Sequence, residues 1–460
     1  MRTMLPRLAA LALIGTAAAA HAADLVDAWR AAQAHDPAFN AAQAARDAGA
    51  ARREQGAALW RPTVQLSGAA GWGSGDTSTS GARFSAPGFG TVDGARFDTS
   101  VNGGNLWRWS VQARQPLYSR ERDAGRRQLE IAADAADLEW RAGQQTLMLR
   151  TVERYFDAAL AAESLRVLQR QQRAVNSALT ESRDRFKLGD APVTDTHEAQ
   201  ARAEAVRAEV LAAESALELK QSALADATGW GSAELQSLAL PRSPAAAHDQ
   251  PPLAQTLADA KAGNLQLQLL AAQTDAARQE AAKHGAMAAP SVDLVAMAAQ
   301  DRLSGNGDFG SAANAQRNAM VGVQLTVPLY TGGMRGAREL EALRLAEKAS
   351  AESDQQAQQV AQATRAAWLG LTVGAARLQA LEDALRAAHS RLDATRLGRQ
   401  VGDRTTLELL NAENDAAAAE LALQQARVGL LLDRLRLAAL AGRLDEAQLQ
   451  LANANLLPPQ

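Results

Sequence analysis

Two decapeptides hold the most ordered polar chemistry in the chain, Phe186–Asp195 (FKLGDAPVTD) and Arg399–Glu408 (RQVGDRTTLE). Each carries a Gly-Asp pair at the same place and an acid five residues after that Asp, and the second begins 213 positions after the first. Acids, hydroxyls and an arginine at this spacing suit helix caps and ion pairs rather than bond making. Thr405-x-x-Glu408 has the spacing of a capping box, in which the N3 carboxylate returns to the cap N–H, and an acid in a first helical turn is favoured by the macrodipole. Elsewhere chemistry is sparse. The six histidines are scattered without metal-ligand spacing. There is no cysteine, hence no disulfide framework. Gly71-Trp72-Gly73-Ser74-Gly75 and Gly332-Gly333-Met334-Arg335-Gly336 lack the lysine of a phosphate loop. With no nucleophile–base arrangement, the sequence predicts no enzyme, cofactor or metal.

The elements that position those decapeptides are long. Of 460 residues only 4% are aromatic, and extended blocks read A/E/L/Q/R without Gly or Pro, the profile of long helices and coiled coils. Residues 1–22 read as a signal peptide: Arg2 and Arg7, then an apolar run from Leu8 to Ala20, then Ala20-His21-Ala22 as a cleavage site. Its removal takes two arginines and shifts the net charge from −3 to −5, a mild acidity that disfavours nucleic acid as a partner.

The chain is internally duplicated. Trp60-Arg61-Pro62-Thr63-Val64 matches Ala288-Ala289-Pro290-Ser291-Val292, Gln115-Pro116-Leu117-Tyr118 matches Val327-Pro328-Leu329-Tyr330, and Gly189-Asp190 matches Gly402-Asp403. The expected layout is a first repeat at 23–230, a linker at 231–256, a second repeat at 257–440 and a tail at 441–460. Within each repeat the apolar residues twice alternate with polar ones: Val64, Leu66, Ala70, Trp72, then Trp107, Trp109, Val111, Ala113, and later Val292, Leu294, Ala296, then Val321, Val323, Leu325, Val327. Period two marks strands with one apolar face, here of ~10 residues, the length of a membrane-crossing strand. The Gly/Ser/Asn/Asp-rich segments Gly73–Gly104 and Asp301–Arg317 read as loops. Trp72, Trp107 and Trp109 are expected on a lipid-facing side.

Four strands cannot close a barrel, and an open edge in lipid leaves backbone groups unpaired. The smallest familiar membrane barrels have ~8 strands, so three copies, with twelve, are the expected assembly. The remainder is helix. Leu165, Leu168, Gln172, Val175, Leu179, Ser182 and Phe186 step by alternating threes and fours, and Leu378, Leu381, Leu385, Ala388, Leu392, Thr395 and Arg399 do so 213 positions later. These are coiled-coil seams in one register. From Glu121 to Leu188 only Gly125 and Gly143 interrupt the pattern, which predicts a helix of roughly 100 Å, turning at Gly189-Asp190 and, in the duplicate, at Gly402-Asp403.

With Ala34-His35-Asp36-Pro37, Trp60-Arg61-Pro62, Pro116-Leu117-Tyr118, Pro328-Leu329-Tyr330-Thr331-Gly332-Gly333 and Val401-Gly402-Asp403-Arg404-Thr405 in this order, the chain resembles the TolC-type outer membrane channels of efflux and type I secretion. The resemblance implies an α+β membrane protein: a trimeric twelve-stranded outer-membrane barrel continuous with a helical coiled-coil tunnel reaching into the periplasm. It implies as partners a periplasmic adaptor (membrane fusion) protein and an inner-membrane transporter of the ABC or RND type. It also implies site roles. Arg404 is the inner-coil cation, Thr194 and Asp195 are its partners on the neighbouring outer coil, and Glu408 is a ring acid of the constriction. Asn411 stands where a second ring acid is expected, and Arg399 where an aromatic latch is expected. Gly189, Asp190, Gly402 and Asp403 form the tips that dock the adaptor. Two rival readings, a periplasmic adaptor and a structural coiled coil, leave the duplicated strand pairs without a purpose.

Overall fold

The computed structural model describes residues 24–190, 192–242, 251–308 and 310–456; the expected signal peptide lies outside them. Helices α1 (Leu25–His35) and α2 (Pro37–Ala58) precede strands β1 (Thr63–Ala86) and β2 (Gly90–Tyr118), then α3 (Arg120–Lys187) and α4 (Val193–Thr228). After the short α5 (Ser232–Gln236) the order repeats as α6 (Leu253–Gly263), α7 (Leu265–Ala286), β3 (Ser291–Gly307), β4 (Gly310–Thr326), α8 (Met334–Gln400) and α9 (Thr406–Leu440), followed by α10 (Glu446–Asn453). The first two helices of each round have 11 and 22 residues. The break between them is built the same way twice. Buried Asp36 accepts from the backbone N–H groups of Ala38 and Phe39 at 2.9 and 3.0 Å, and Asn264 at the matching place accepts from that of Leu267 at 3.1 Å. Each side chain supplies donors at the new helix start with an acceptor they otherwise lack. Asp36 is also paired with Arg150.

The chain divides into two compact units, one comprising Ala45–Leu138 and Leu269–Asp354, the other Met1–Ala44, Glu139–Gln268 and Gln355–Gln460. The first contains one antiparallel sheet in the order β1-β2-β3-β4. Its register places Val64 beside Ala113, Leu66 beside Val111, Leu294 beside Val323 and Val292 beside Leu325, so the apolar positions share one face. That face is bare in the single chain: Leu66 is 71% exposed, Trp72 76% and Val321 77%. The opposite face is polar, with Ser67 hydrogen-bonded to Ser110 at 2.7 Å, Arg108 on Asp301 at 2.7 Å and Arg114 on buried Asp293. The expected loops are not loops. Strands of 24, 29, 17 and 17 residues run through the Gly/Ser-rich segments and turn only at 87–89 and near Asp308. Cross-strand pairing supplies most of these residues with backbone partners, which overrides the low strand propensity of Gly, Ser and Asp.

Helices α3 and α8, 68 and 67 residues long, are shared between the units, and their residues 139–187 and 355–400 each form one long arm of a helical hairpin in the second unit. The largest core of that unit joins Leu25, Trp29, Met148, Tyr155, Phe156, Leu224, Val428, Leu431, Leu435 and Leu449, drawing on α1, α3, α4, α9 and α10. Tyr155 packs edge-on to Phe156, ring centroids 5.3 Å apart. Its hydroxyl accepts from the Ala239 backbone N–H at 2.9 Å, and burial pushes its phenol up to about 12. Leu238 and Leu240 pack on this core, and Pro241 bridges to Leu456, so segments of the linker and of the tail are pinned together. Truncating a buried aromatic such as Phe156 to Ala costs about 3–5 kcal/mol.

Candidate gate at the helical hairpin tips

Both hairpins turn by the same backbone device. Gly189 and Gly402 sit at φ +82° and +84°, in the left-handed region open to a residue without Cβ. Asp190 donates to the Arg185 carbonyl at 2.8 Å and Gly189 to that of Phe186 at 3.0 Å; Asp403 donates to the Gly398 carbonyl at 2.8 Å and Gly402 to that of Arg399 at 3.1 Å. These paired bonds satisfy the last carbonyls of α3 and α8 in a Schellman motif.

The descending helices begin differently. At α9 the Thr405 hydroxyl accepts from the Glu408 N–H at 3.2 Å, and Glu408 Oε2 accepts from the Thr405 N–H at 2.8 Å. Arg404 donates to the other Glu408 oxygen at 2.8 Å. The Thr405 N–H first, and then Arg404, hold the Glu408 carboxyl below its usual range. Arg404 is itself raised by the hydrogen bond to Glu408 and by its charge. Within one chain, then, Arg404 and Glu408 form one cluster, with Asn411 exposed three residues further along α9. At α4 the cap is Pro192, with no side-chain hydrogen bond. Asp195 occupies the position that Glu408 holds in the duplicate and lies half-buried, beside exposed Thr194.

Arg399 takes an unexpected place. Its side chain is 5% exposed, with Nη2 3.0 Å from a carboxylate oxygen of Glu181 on α3, yet none of its guanidinium nitrogens makes a well-formed hydrogen bond among the described residues. It lies on the seam of the second hairpin and reaches the first. Other links between the hairpins follow. Asn414 on α9 accepts from Gln171 at 3.2 Å and from Arg202, Glu420 pairs with Arg170 at 2.6 Å, and Leu410 enters the seam formed by Val175, Leu179, Ala199, Ala203 and Val206. Sequence reasoning missed Glu181, Asn414 and Arg202. The available signal was Arg399 itself: a cation on an apolar seam requires an acid within reach, and Glu181 adjoins the seam residue Ser182.

Comparison with known proteins follows the same outline. The family model described as Outer membrane efflux protein matches residues 29–230 and 256–443. The outer membrane protein TolC of Vibrio cholerae is 27% identical over 458 residues, covering 99% of each chain. The alkaline protease secretion protein AprF of Pseudomonas aeruginosa is 27% identical over 448 residues, covering 95% of this chain and 88% of that protein. In fold, the crystal structure of the outer membrane protein VceC from Vibrio cholerae superposes with a TM-score of 0.70 at 19% identity, covering 91% of this chain and 96% of that one.

Proposed function

The chain belongs to the outer membrane efflux protein family, and from that premise we propose how it works as an exit duct for efflux or type I secretion. Three copies pool their sheets. In the β1-β2-β3-β4 meander the edge strands β1 and β4 run in opposite directions, so β4 of one copy can continue antiparallel into β1 of the next and leave no edge in lipid. The single observation that carries this reading is the bare apolar face of a four-stranded sheet whose other face is polar. From Val64 to Trp72 the apolar stripe runs about 26 Å along β1, close to the ~25 Å band of outer-membrane barrels.

Each repeat, 23–230 and 257–440, contributes one strand pair and one helical hairpin. The tips at Gly189-Asp190 and Gly402-Asp403 are the docking points for a periplasmic adaptor, which brings an inner-membrane transporter of the ABC or RND type. Energy comes from that transporter, and the duct is passive. At rest Arg404 of one copy faces Thr194 and Asp195 of the next, while Glu408 and Asn411 line the constriction. The Arg404–Glu408 pair is the form this cation takes when no neighbour is present. Its exposure makes it weak, and three weak links released together suit a gate.

The test is planar-bilayer conductance of purified trimers. Arg404→Ser combined with Asp195→Ala is expected to raise the single-channel conductance; unchanged conductance removes these residues from the latch. Heat-modifiable migration and outer-membrane fractionation test the assembly separately.

A further inference from the structure

The outer end of the sheet, where β1 turns into β2 and β3 into β4, is curled far more tightly than a wide barrel requires. Strands β1 and β4 are not neighbours, yet Asn314 on β4 donates to the Thr77 hydroxyl on β1 at 2.5 Å. Across a flat sheet three strand spacings put these strands about 14 Å apart, and even curvature into about twelve strands shortens that only to about 13 Å. The two side chains and the hydrogen bond between them span no more than about 9 Å. The sheet must therefore bend sharply inward at this level.

Several residues permit and fill that bend. The pairing of β1 with β2 shifts register between Gly73 and Gly75, where Gly104 gives way to Val101 as partner; an extra residue of this kind bends and twists a strand. A Cβ at Gly104 would lie 2.3 Å from the Ser304 carbonyl oxygen, and one at Gly305 would lie 2.1 Å from that of Gly103, so only glycine lets β2 and β3 approach so closely. A Cβ at Gly75 on β1 would lie 3.2 Å from Leu303 on β3, another contact that passes over an intervening strand. Val101 is 1% exposed. Alternation places Thr77, Val101, Leu303 and Asn314 on the polar face of the sheet, the face turned away from lipid in the proposed barrel. Asn102 and Asp308 tie the two hairpins at 2.6 Å just above.

We propose that each protomer folds the outer end of its own four strands into a clasp closed by Thr77 and Asn314. Three such clasps would form a second constriction, at the mouth opposite the helical tips. This inference rests on the duct reading for its functional meaning, but its geometry stands apart from it.

The natural chain has no cysteine, so engineered pairs report cleanly. In the assembled trimer, Thr77→Cys with Asn314→Cys is expected to oxidise to an intrachain disulfide, seen after denaturation as a compact monomer band that reduction relaxes. Gly75→Cys with Leu303→Cys serves as a second pair should the first impair assembly. Covalent dimers and trimers would overturn the proposal, because they would place β1 against β4 of a neighbouring copy at this level. Absence of any intrachain crosslink in heat-modifiable trimers, both on oxidation and with a short bis-thiol reagent that reaches beyond the disulfide limit of about 7 Å between Cα atoms, would overturn it too. With the clasp present, Asn314→Ala added to the Arg404→Ser, Asp195→Ala variant raises conductance further; no additional rise would leave the curl without a role at the mouth. Failure of the duct reading would show instead as no channels at all.

Discussion

The same seam position is Phe186 on the first hairpin and Arg399 on the second, and the burial is the reverse of what the residue types lead one to expect. Phe186 is 46% exposed, whereas the Arg399 side chain is 5% exposed. The tips nonetheless share their backbone turn, with φ +82° and +84° and the same pair of closing bonds. The difference therefore lies in what each seam position faces. Arg399 faces the other hairpin of its own chain, where Glu181 meets it. Phe186 faces outward, an apolar ring left bare beside Leu188, itself 77% exposed. The duplication preserved the turn and diverged in the partner surfaces. In effect the second hairpin is held to the first from within the chain, while the first keeps its outer side open.

The largest effect expected from breaking this asymmetry follows removal of the Glu181 carboxylate. Glu181→Gln leaves a buried guanidinium without its counter-charge, a loss of about 1–3 kcal/mol. Chemical unfolding of the helical unit and the resting conductance should both register it. Adding Arg399→Met should restore most of the loss, because an apolar side chain of similar length suits the seam. If Glu181→Gln changes neither measurement, the pair does not hold the hairpins together. By the same logic Phe186→Ser should leave the stability of a single chain nearly unchanged and act on assembly alone.

A smaller effect should appear equally at both tips. Gly189→Ala and Gly402→Ala force a Cβ into the left-handed region, each costing about 1–2 kcal/mol. Since the two φ values agree within a few degrees, the two losses should agree as well, read by hydrogen exchange at the closing amides of Asp190 and Asp403. A clear inequality would mean that neighbouring packing, and not the shared turn, fixes the tips.

How much of this was legible in the sequence depends on the range of the interaction. Periodicity and turn chemistry are local, so the seam through Val175, Leu179 and Ser182, the glycine turns and the Thr405–Glu408 box could be read from spacing. The strand ends could not. Segments such as Gly73–Gly104 have loop composition, and only pairing with a distant strand makes them sheet. The Thr77–Asn314 contact spans 237 positions and leaves no local trace. Arg399 was visible as an anomaly, but its partner lies on another helix, 218 positions earlier, so the position was readable and the pairing was not. Asp36 shows the intermediate case: His35-Asp36-Pro37 stood out as a motif, while its role in breaking α1 from α2 emerged only once its bonds to Ala38 and Phe39 were seen.

The finest distinction between the tips lies in how α4 and α9 begin, and it should respond to both mutation and acid. Thr405→Ala removes a cap hydroxyl and should cost about 1 kcal/mol, roughly a fivefold faster opening at the Glu408 amide. Pro192→Ala removes no side-chain hydrogen bond and should leave the matching amide of Asp195 little changed. For pH the sign is fixed by Glu408, which is held below its ordinary 4.5 in the folded chain. Its contribution is full above 4.5 and is lost as the pH falls through the lowered folded value. The α9 tip should therefore stay protected from neutral pH down to 4.5 and loosen only below it. Glu408→Gln should flatten that response, because glutamine keeps the box but cannot titrate. An acid response that survives Glu408→Gln would move the titrating group elsewhere and leave the two tips alike in this respect.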